Sequence, residues 1–239
     1  DPLTHQVLLP NYAALENQAL GPLVNTSEMG HTGVTLSSLC ARLSSLRPLA
    51  LASDIPVALS NQIGASTYPE LFAQAFGSAE ITPARLVMAI ASYERTLVAD
   101  QAPLDAHVAG TPSLTAQELQ GQQLFQSEGC SFCHSGPLLT DGRFHYIGVR
   151  PTTEDLGRGA LDSDAAMLGA MLTPGLRGIG ERAPYMHNGR LATLEDVVEF
   201  YNRGGDFSAP NKDPRVRPRN WTQAQKAALL AFMRRPLTD

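Results

Sequence analysis

The sequence predicts a mainly α-helical protein. Apolar residues recur at helical spacing in several segments, threonine capping boxes precede three of these segments, and no run alternates apolar and polar residues as a half-buried strand does. At 239 residues the chain is long enough to bury a core in one domain or in two.

Helices are predicted at three places in the N-terminal part of the chain. Residues 15–20 form a short helix that Gly21 and Pro22 close, and residues 35–46 are a second candidate. Thr82 caps the third helix and a proline follows in its first turn. The apolar residues of this third helix fall on one face: Leu86, Ile90, Tyr93 and Leu97.

A segment rich in proline and glycine, residues 101–114, is predicted to link two domains, residues 1–100 and residues 115–239. At the start of the second domain, Thr115 and Glu118 form a capping box that opens a helix.

Residues 136–189 are predicted to be mostly loop, and only residues 164–171 hint at a helix. A loop region of this length in a compact domain usually serves function, and wrapping a cofactor is one such use. Two further capping boxes open the last helices at Thr193 and Thr222, and the first of these helices should stop at the glycine pair 204–205.

Residues 130–134 read C-S-F-C-H, which is the attachment sequence for c-type haem. Its two thiols add to the haem vinyl groups, and the adjacent histidine supplies a nitrogen ligand to the iron. A zinc site is the first alternative, but zinc usually has four protein ligands and the only other cysteine is Cys40. A redox C-x-x-C is the second, but it would follow a strand and open a helix. We therefore predict haem c held by Cys130 and Cys133, with His134 on the iron.

The composition excludes several other classes of function. Only 17% of the residues are charged and the net charge is −5, so no basic stripe for nucleic acid is present. No apolar run is long enough to span a membrane. The sequence starts at Asp1 without a visible signal peptide, and haem c is attached on the exported side of bacterial membranes. We therefore expect a mature periplasmic protein, with Cys40 as a small core residue.

A tyrosine in the second-last helix has two interpretations. Leu194, Val197, Val198 and Tyr201 are spaced i, i+3, i+4 and i+7, so they share one buried face. A phenol on that face needs a partner, which can be a hydrogen-bond acceptor or an iron. Periodicity alone favours the core-tyrosine interpretation.

The order of the motifs resembles the bacterial di-haem cytochrome c peroxidase and MauG family. The C-terminal haem domain of that family is matched by residues 136–145, 173–177 and 183–205. The later part of its first domain is matched by residues 18–23, 28–30 and 93–97. The resemblance extends over nearly the whole chain from about Leu15 onward.

This resemblance implies two cytochrome-c-like helical domains with long haem-wrapping loops, each domain holding one c-type haem. One haem is the site of peroxide chemistry, and the other passes electrons or stores oxidising equivalents. Cys130, Cys133 and His134 match the C-terminal haem. The peroxidases place a methionine as the second axial ligand of that haem and MauG-like members place a tyrosine. The matching position is Tyr201, and Met186 is its rival.

Four further residues match family positions. Glu28 corresponds to the acidic residue of the peroxidatic pocket, which moves a proton between the peroxide oxygens. Pro22 corresponds to a residue that lines this pocket. The resemblance implies that His187 orders its loop or contacts the haem, and that Arg177 pairs with a haem propionate.

The chain also departs from the family. The first haem motif is not in the sequence, the tryptophan between the two haems falls at about Leu8, and residues 9–11 replace the usual Asp-Gly-Arg. The upstream calcium ligand is not visible and Arg182 stands where a threonine is usual, so we do not expect calcium. Two explanations stay open: a second haem lies in an upstream segment or a second subunit, or the protein has one haem and Glu28 is a relic.

The sequence thus favours a periplasmic haem c oxidoreductase that uses hydrogen peroxide. Its electrons would come from a small c-type cytochrome, a cupredoxin or a protein substrate. The alternative is a mono-haem electron-transfer protein or haem subunit without peroxidase activity of its own, and a degenerate member with a binding role is a third reading. No nucleic-acid partner is expected.

Overall fold

Nine α-helices and one two-stranded sheet make up the regular structure of residues 1–9 and 13–239, the part of the chain that this computed structural model describes. Helices account for 42% of the residues, which confirms the predicted mainly helical class. Pro10 and Asn11, compared above with a family motif, lie outside the described residues. The chain divides into two compact units, Asp1–Val98 and Ala99–Asp239.

The first unit contains five helices: α1 Ala14–Val24, α2 Leu36–Leu43, α3 Val57–Ile63, α4 Tyr68–Phe76 and α5 Pro83–Glu94. Its core packs side chains of α1, α2 and α5: Ala19, Leu20, Val24, Leu36 and Val87. An ion pair also joins α1 to the end of α5, because Arg95 lies 2.8 and 2.9 Å from the two carboxylate oxygens of Glu16.

Helix α1 does not end at Gly21 and Pro22, as predicted, but continues to Val24. A proline inside a helix costs about 3 kcal/mol because it lacks an N–H and crowds the preceding turn. Leu20 and Val24 are both buried, and burying such a side chain contributes about 1.5–3 kcal/mol. Packing on both sides of the proline therefore offsets its cost.

The predicted apolar face of α5 is wrong in part. Val87 and Ala91 are fully buried, whereas Tyr93 and Leu97 are 65% and 64% exposed. The helix ends at Glu94, so Leu97 lies beyond it. The buried stripe of α5 is therefore displaced by one residue from the predicted one.

The second unit contains helices α6 Pro103–Val108, α7 Ala116–Ser127, α8 Leu194–Asn202 and α9 Gln223–Met233. Helix α6 lies inside the segment predicted as a linker, and its Leu104 is buried in the core of the second unit. Thr115, Thr193 and Thr222 each accept a hydrogen bond from the backbone N–H three residues later, as capping boxes do.

Helices α7 and α9 pack very closely at Gly121. A Cβ atom at this position would lie 2.0 Å from the carbonyl oxygen of Ala228 and 2.7 Å from the Cβ of Phe232. Only glycine fits such an approach. The crossing fixes the end of α7, from which the C-x-x-C-H motif continues.

The region between α7 and α8 is mostly loop, as predicted. It contains a short antiparallel sheet, in which β1 Phe144–His145 pairs with β2 Met171–Leu172. The helix suggested for residues 164–171 is a single 3₁₀ turn, Ala165–Met167, that leads into β2. Within the described ranges, no helix combines the length and the apolar content needed to cross a membrane.

Candidate haem site

The C-x-x-C-H motif occupies one tight turn directly after α7. Gly129 adopts a left-handed conformation with φ +84° and ends the helix. A 3₁₀ turn follows at Cys130–Phe132, and the carbonyl oxygen of Cys130 accepts hydrogen bonds from the N–H groups of Cys133 at 3.3 Å and His134 at 2.9 Å. This turn brings both thiols and the imidazole to the wall of one cavity.

Neither thiol has the environment of a reactive cysteine. Cys130 and Cys133 are unpaired, and burial raises the pKa of Cys130 to about 11 and also raises the pKa of Cys133. Reactive and zinc-bound cysteines depend on the thiolate form, which a lowered pKa favours. The environment therefore argues against a redox role for this pair.

The His134 ring is oriented by a backbone carbonyl. Its Nδ1 lies 3.0 Å from the carbonyl oxygen of Leu139, which can only accept, so Nδ1 carries the proton. Burial lowers the pKa of His134, which keeps the ring neutral. Nε2 is then the nitrogen available to a metal, and the carbonyl fixes the tautomer as it does for many metal-binding histidines.

The cavity has a volume of about 440 Å³, within the range of ligand and cofactor sites. Aliphatic and aromatic side chains from α7, α8, α9 and the long loop line most of it, among them Phe125, Ile147, Val149, Leu176, Leu194, Val198, Leu229 and Met233.

Both candidates for a second axial ligand line this cavity. Tyr201 comes from α8 and is partly buried, and its hydroxyl finds no hydrogen-bond acceptor in residues 1–9 and 13–239. Burial raises the pKa of Tyr201, so the phenol stays protonated unless a cation compensates its charge. Met186 comes from the loop before α8 and adopts a left-handed backbone with φ +69°.

His187 and Arg177, which were predicted from the sequence, meet protein carboxylates. The Nε2 of His187 lies 2.6 Å from Asp155, and both residues line the cavity. Arg177 is not among the lining residues. It donates to both carboxylate oxygens of Asp105, at 2.5 and 2.6 Å, and to the carbonyl oxygen of Pro137. Its guanidinium thus already has the bidentate carboxylate partner that we expected a propionate to provide.

A charged network beside the motif escaped the sequence analysis. The two ring nitrogens of His145 lie 2.8 Å from Asp141 and 2.9 Å from Asp213. Hydrogen bonds from Arg215 hold the pKa of Asp213 at about 2. Burial raises the pKa of Asp141, but hydrogen bonds, led by the N–H of Arg143, outweigh it and hold that pKa at about 2. Both carboxylates are therefore ionised acceptors, and each lies within hydrogen-bond distance of one ring nitrogen of His145.

This network also bears on the zinc alternative. Ligand atoms of Cys133, His145 and Asp213 lie within 4.8 Å of one another. However, both ring nitrogens of His145 contact carboxylates, and Arg215 forms an ion pair with Asp213. A zinc ion would have to break these contacts.

Glu28 and Pro22 lie together in the first unit. The carbonyl oxygen of Pro22, in α1, accepts a hydrogen bond from the N–H of Met29 at 3.1 Å. This bond folds the turn that carries Glu28 back onto the helix, and the Glu28 side chain is exposed. A Cβ at Gly30 would lie 2.5 Å from the backbone of Val24, so the turn packs tightly.

The residues of the second unit fit a covalent haem. Four side chains with suitable chemistry line the cavity: the thiols of Cys130 and Cys133, the imidazole of His134 and the phenol of Tyr201. The Nδ1 of the imidazole is held by a backbone carbonyl, and the phenol has no partner among the described residues. Trp221 also lines it, and its buried indole Nε1 has no acceptor within the described residues. Buried polar groups without a partner are rare in protein interiors, so the Trp221 Nε1 calls for an explanation.

Comparisons with known proteins show what the chain is similar to. A family model described as di-haem cytochrome c peroxidase matches residues 5–113. The chain is 40% identical over 171 residues to the methylamine utilization protein MauG of Methylorubrum extorquens, covering 70% of this chain and 48% of that protein. It is 34% identical over 200 residues to the cytochrome-c peroxidase IdrP2 of Denitromonas iodatirespirans, covering 70% of this chain and 53% of that protein.

A solved structure of a MauG-like protein associated with microbial copper homeostasis is also similar. It aligns with a TM-score of 0.75 and 27% identity over 94% of this chain and 69% of that chain. The chain spans about half the length of the curated relatives it matches. The resemblance of this chain to the di-haem cytochrome c peroxidase and MauG family, found in the sequence, is thus confirmed.

Proposed function

We propose that this chain is the haem-bearing part of a periplasmic oxidoreductase of the cytochrome c peroxidase or MauG type, which reduces hydrogen peroxide. Membership of the family implies covalently bound haem c. The observation that carries the proposal is the convergence of Cys130, Cys133, His134 and Tyr201 on one cavity of about 440 Å³. When bound there, a haem supplies a redox-active iron that takes up and releases single electrons.

In this proposal, four side chains of the second unit hold the haem. Cys130 and Cys133 form its thioether bonds. His134 offers Nε2 to the iron while the carbonyl of Leu139 holds Nδ1–H. Tyr201 offers its hydroxyl oxygen from α8, and a phenolate ligand would favour ferric iron over ferrous iron. Such a site suits chemistry that uses ferric or higher oxidation states of iron better than it suits the storage of an electron on ferrous iron.

Glu28 and Pro22 are proposed to belong to the peroxide-reducing site. Hydrogen peroxide takes up two electrons and two protons to give two waters. Glu28 would carry a proton from one peroxide oxygen to the other while the O–O bond breaks, because an exposed carboxylate on a tight turn can exchange protons with water. Pro22 would line the same pocket.

The partners of the reaction follow from this assignment. We propose that a small c-type cytochrome, a cupredoxin or a protein substrate supplies the electrons, and that an upstream segment or a second subunit supplies the second haem. Export to the periplasm follows from covalent haem attachment, which takes place on that side of the membrane.

The test is peroxide consumption by the natively produced, haem-loaded protein with a reduced small cytochrome as donor. Glu28→Gln should slow the reaction by about 10²- to 10⁴-fold, the usual contribution of general acid–base catalysis. Glu80→Gln is the matched control in the same unit. The Glu80 side chain is exposed and its ion pair with Arg85 is long, at 3.9 Å, so the substitution should leave the rate unchanged.

Two results would count against the proposal. A normal rate in Glu28→Gln would remove Glu28 from the mechanism. A haem-loaded wild-type protein that passes electrons without consuming peroxide would favour the mono-haem electron-transfer protein instead.

A further inference from the structure

The charged side chains that line the cavity are almost all neutralised by a protein partner. The ion pairs are Arg219 with Glu128, Arg215 with Asp213 and Arg150 with Glu154. The ring nitrogens of His145 and His187 also lie within hydrogen-bond distance of carboxylates, those of Asp141, Asp213 and Asp155. Arg182 is the exception. It lines the cavity, and no carboxylate oxygen of residues 1–9 and 13–239 lies within 4.0 Å of its guanidinium.

The backbone that carries Arg182 is firmly anchored. Arg182 follows the 3₁₀ turn Ile179–Glu181, and the hydroxyl of Tyr185 donates to the carbonyl oxygen of Ile179 at 3.0 Å. On the other side of the turn, the N–H of Gly178 donates to the carbonyl oxygen of Leu237 at 2.6 Å. The side chain itself stays exposed. The turn therefore fixes the backbone of Arg182 at the cavity wall, and its exposed side chain has no carboxylate partner among the described residues.

We propose that Arg182 binds a propionate carboxylate of the haem, an inference that rests on the haem site proposed above. A haem brings two carboxylates into a cavity whose wall is mainly apolar, and a carboxylate at such a wall needs a counter-charge. Guanidinium and carboxylate pair through two parallel hydrogen bonds. Arg177 already donates to both carboxylate oxygens of Asp105. Arg182, in contrast, lines the cavity and has no carboxylate partner among the described residues.

Arg182 would act as a positioning residue that also sets the haem potential. A guanidinium beside the haem stabilises the reduced state, because reduction removes one positive charge from the iron. It also keeps the propionate ionised, so that the potential does not depend on the protonation of that carboxylate.

The test is a redox titration of the haem-loaded protein, followed by its visible spectrum, at several pH values between 5 and 8. In Arg182→Gln the midpoint potential should fall, with about a tenfold change in the ratio of oxidised to reduced haem at a fixed potential, which is about 59 mV for one electron. The potential should also become dependent on pH, because the released propionate takes up a proton as the pH falls.

Two further variants make the result specific. Arg182→Lys keeps the charge but loses the bidentate geometry, so its potential should lie between those of wild type and Arg182→Gln. Arg150→Gln removes the same charge from the same wall, but Arg150 already donates to Glu154 and does not hold the propionate, so the potential of this variant should stay independent of pH.

Three results would overturn the inference: an unchanged, pH-independent potential in haem-loaded Arg182→Gln, an equally pH-dependent potential in Arg150→Gln, or an Arg182→Lys potential no closer to wild type than that of Arg182→Gln. If the glutamine variant loads no haem, the Arg182→Lys potential decides. A wild-type protein without covalent haem would instead contradict the haem site.

Discussion

At the scale of single residues, two tyrosines line the same cavity with hydroxyls in opposite states. The hydroxyl of Tyr185 donates to the carbonyl oxygen of Ile179 at 3.0 Å, and burial raises the pKa of this phenol. The hydroxyl of Tyr201 has no acceptor in the part of the chain that the structure describes. Tyr185 therefore supports the loop, and Tyr201 is available to a ligand.

Tyr201→Phe should change the haem spectrum with little effect on stability. Its hydroxyl makes no hydrogen bond within the protein, so we expect the free energy of unfolding of the haem-free chain to change by about 0.5 kcal/mol or less. The loss of an iron ligand should alter the visible and electron paramagnetic resonance spectra of the ferric protein. Both spectra of the loaded variant test this.

Tyr185→Phe is the control for that experiment. It removes a buried hydrogen bond, which should cost about 1 kcal/mol of stability, and it should leave the spectra unchanged. If Tyr201→Phe has the spectrum of the wild type, the assignment of Tyr201 is wrong and Met186 becomes the leading ligand.

The sequence could predict those site residues whose chemistry is local. Residues 130–134 form one turn, so their spacing alone predicts the thiols and the imidazole. The pairing of Arg177 with Asp105 spans 72 positions, and that of His145 with Asp213 spans 68. Such partners follow from tertiary packing, which no short motif encodes.

At the scale of elements, the crossing of α7 and α9 at Gly121 positions the haem motif. Two residues separate the last residue of α7, Ser127, from Cys130, where the motif begins. Any separation of the two helices would therefore move the thiols. A Cβ atom added at residue 121 would lie only 2.0 Å from the carbonyl oxygen of Ala228.

Gly121→Ala should therefore destabilise the protein, although alanine is the better helix former. Overpacking against the backbone at this contact should cost about 3 kcal/mol, the upper end of the usual range, which exceeds the gain of about 1 kcal/mol from helix propensity. Gly21→Ala in α1 is the matched control, since a Cβ there meets no atom within 4 Å outside the adjacent residues and the backbone of its own helix.

Urea denaturation followed by circular dichroism measures both variants. Gly21→Ala should change the free energy of unfolding by about 0.5 kcal/mol or less, because crowding of the new Cβ by the ring of Pro22 offsets the gain in helix propensity. A Gly121→Ala protein as stable as the wild type would show that the two helices do not depend on this close approach.

The helices with capping boxes could be predicted from the sequence to within a residue or two. Thr115, Thr193 and Thr222 locate the starts of α7, α8 and α9, because a capping box is a local hydrogen-bond pattern. Helix α4 has the same signal in Thr67 and Glu70, which the sequence analysis overlooked.

The other missed helices lack such a signal. Helix α3 has no side-chain cap and no buried residue. Helix α6 is only six residues long, and it is stabilised by burial of Leu104 and by the pairing of Asp105 with Arg177. Proline and glycine around it suggested a linker, because composition does not reveal long-range contacts.

At the scale of the whole molecule, the chain consists of two units with separate proposed roles. The second unit contains a complete set of residues for one covalent haem. The first unit carries Glu28 and Pro22 on a tight turn beside α1. The chain spans about half the length of the curated relatives it matches.

The most direct test of this account is the number of covalent haems on residues 1–239, produced in a host that exports the protein and attaches haem c. Intact mass and the pyridine haemochrome spectrum measure it together. The account predicts one haem per chain, bound through two thioethers, and none when Cys130 and Cys133 are both replaced by alanine. A wild-type chain without covalent haem, or one that keeps its haem after both replacements, would contradict the central claim.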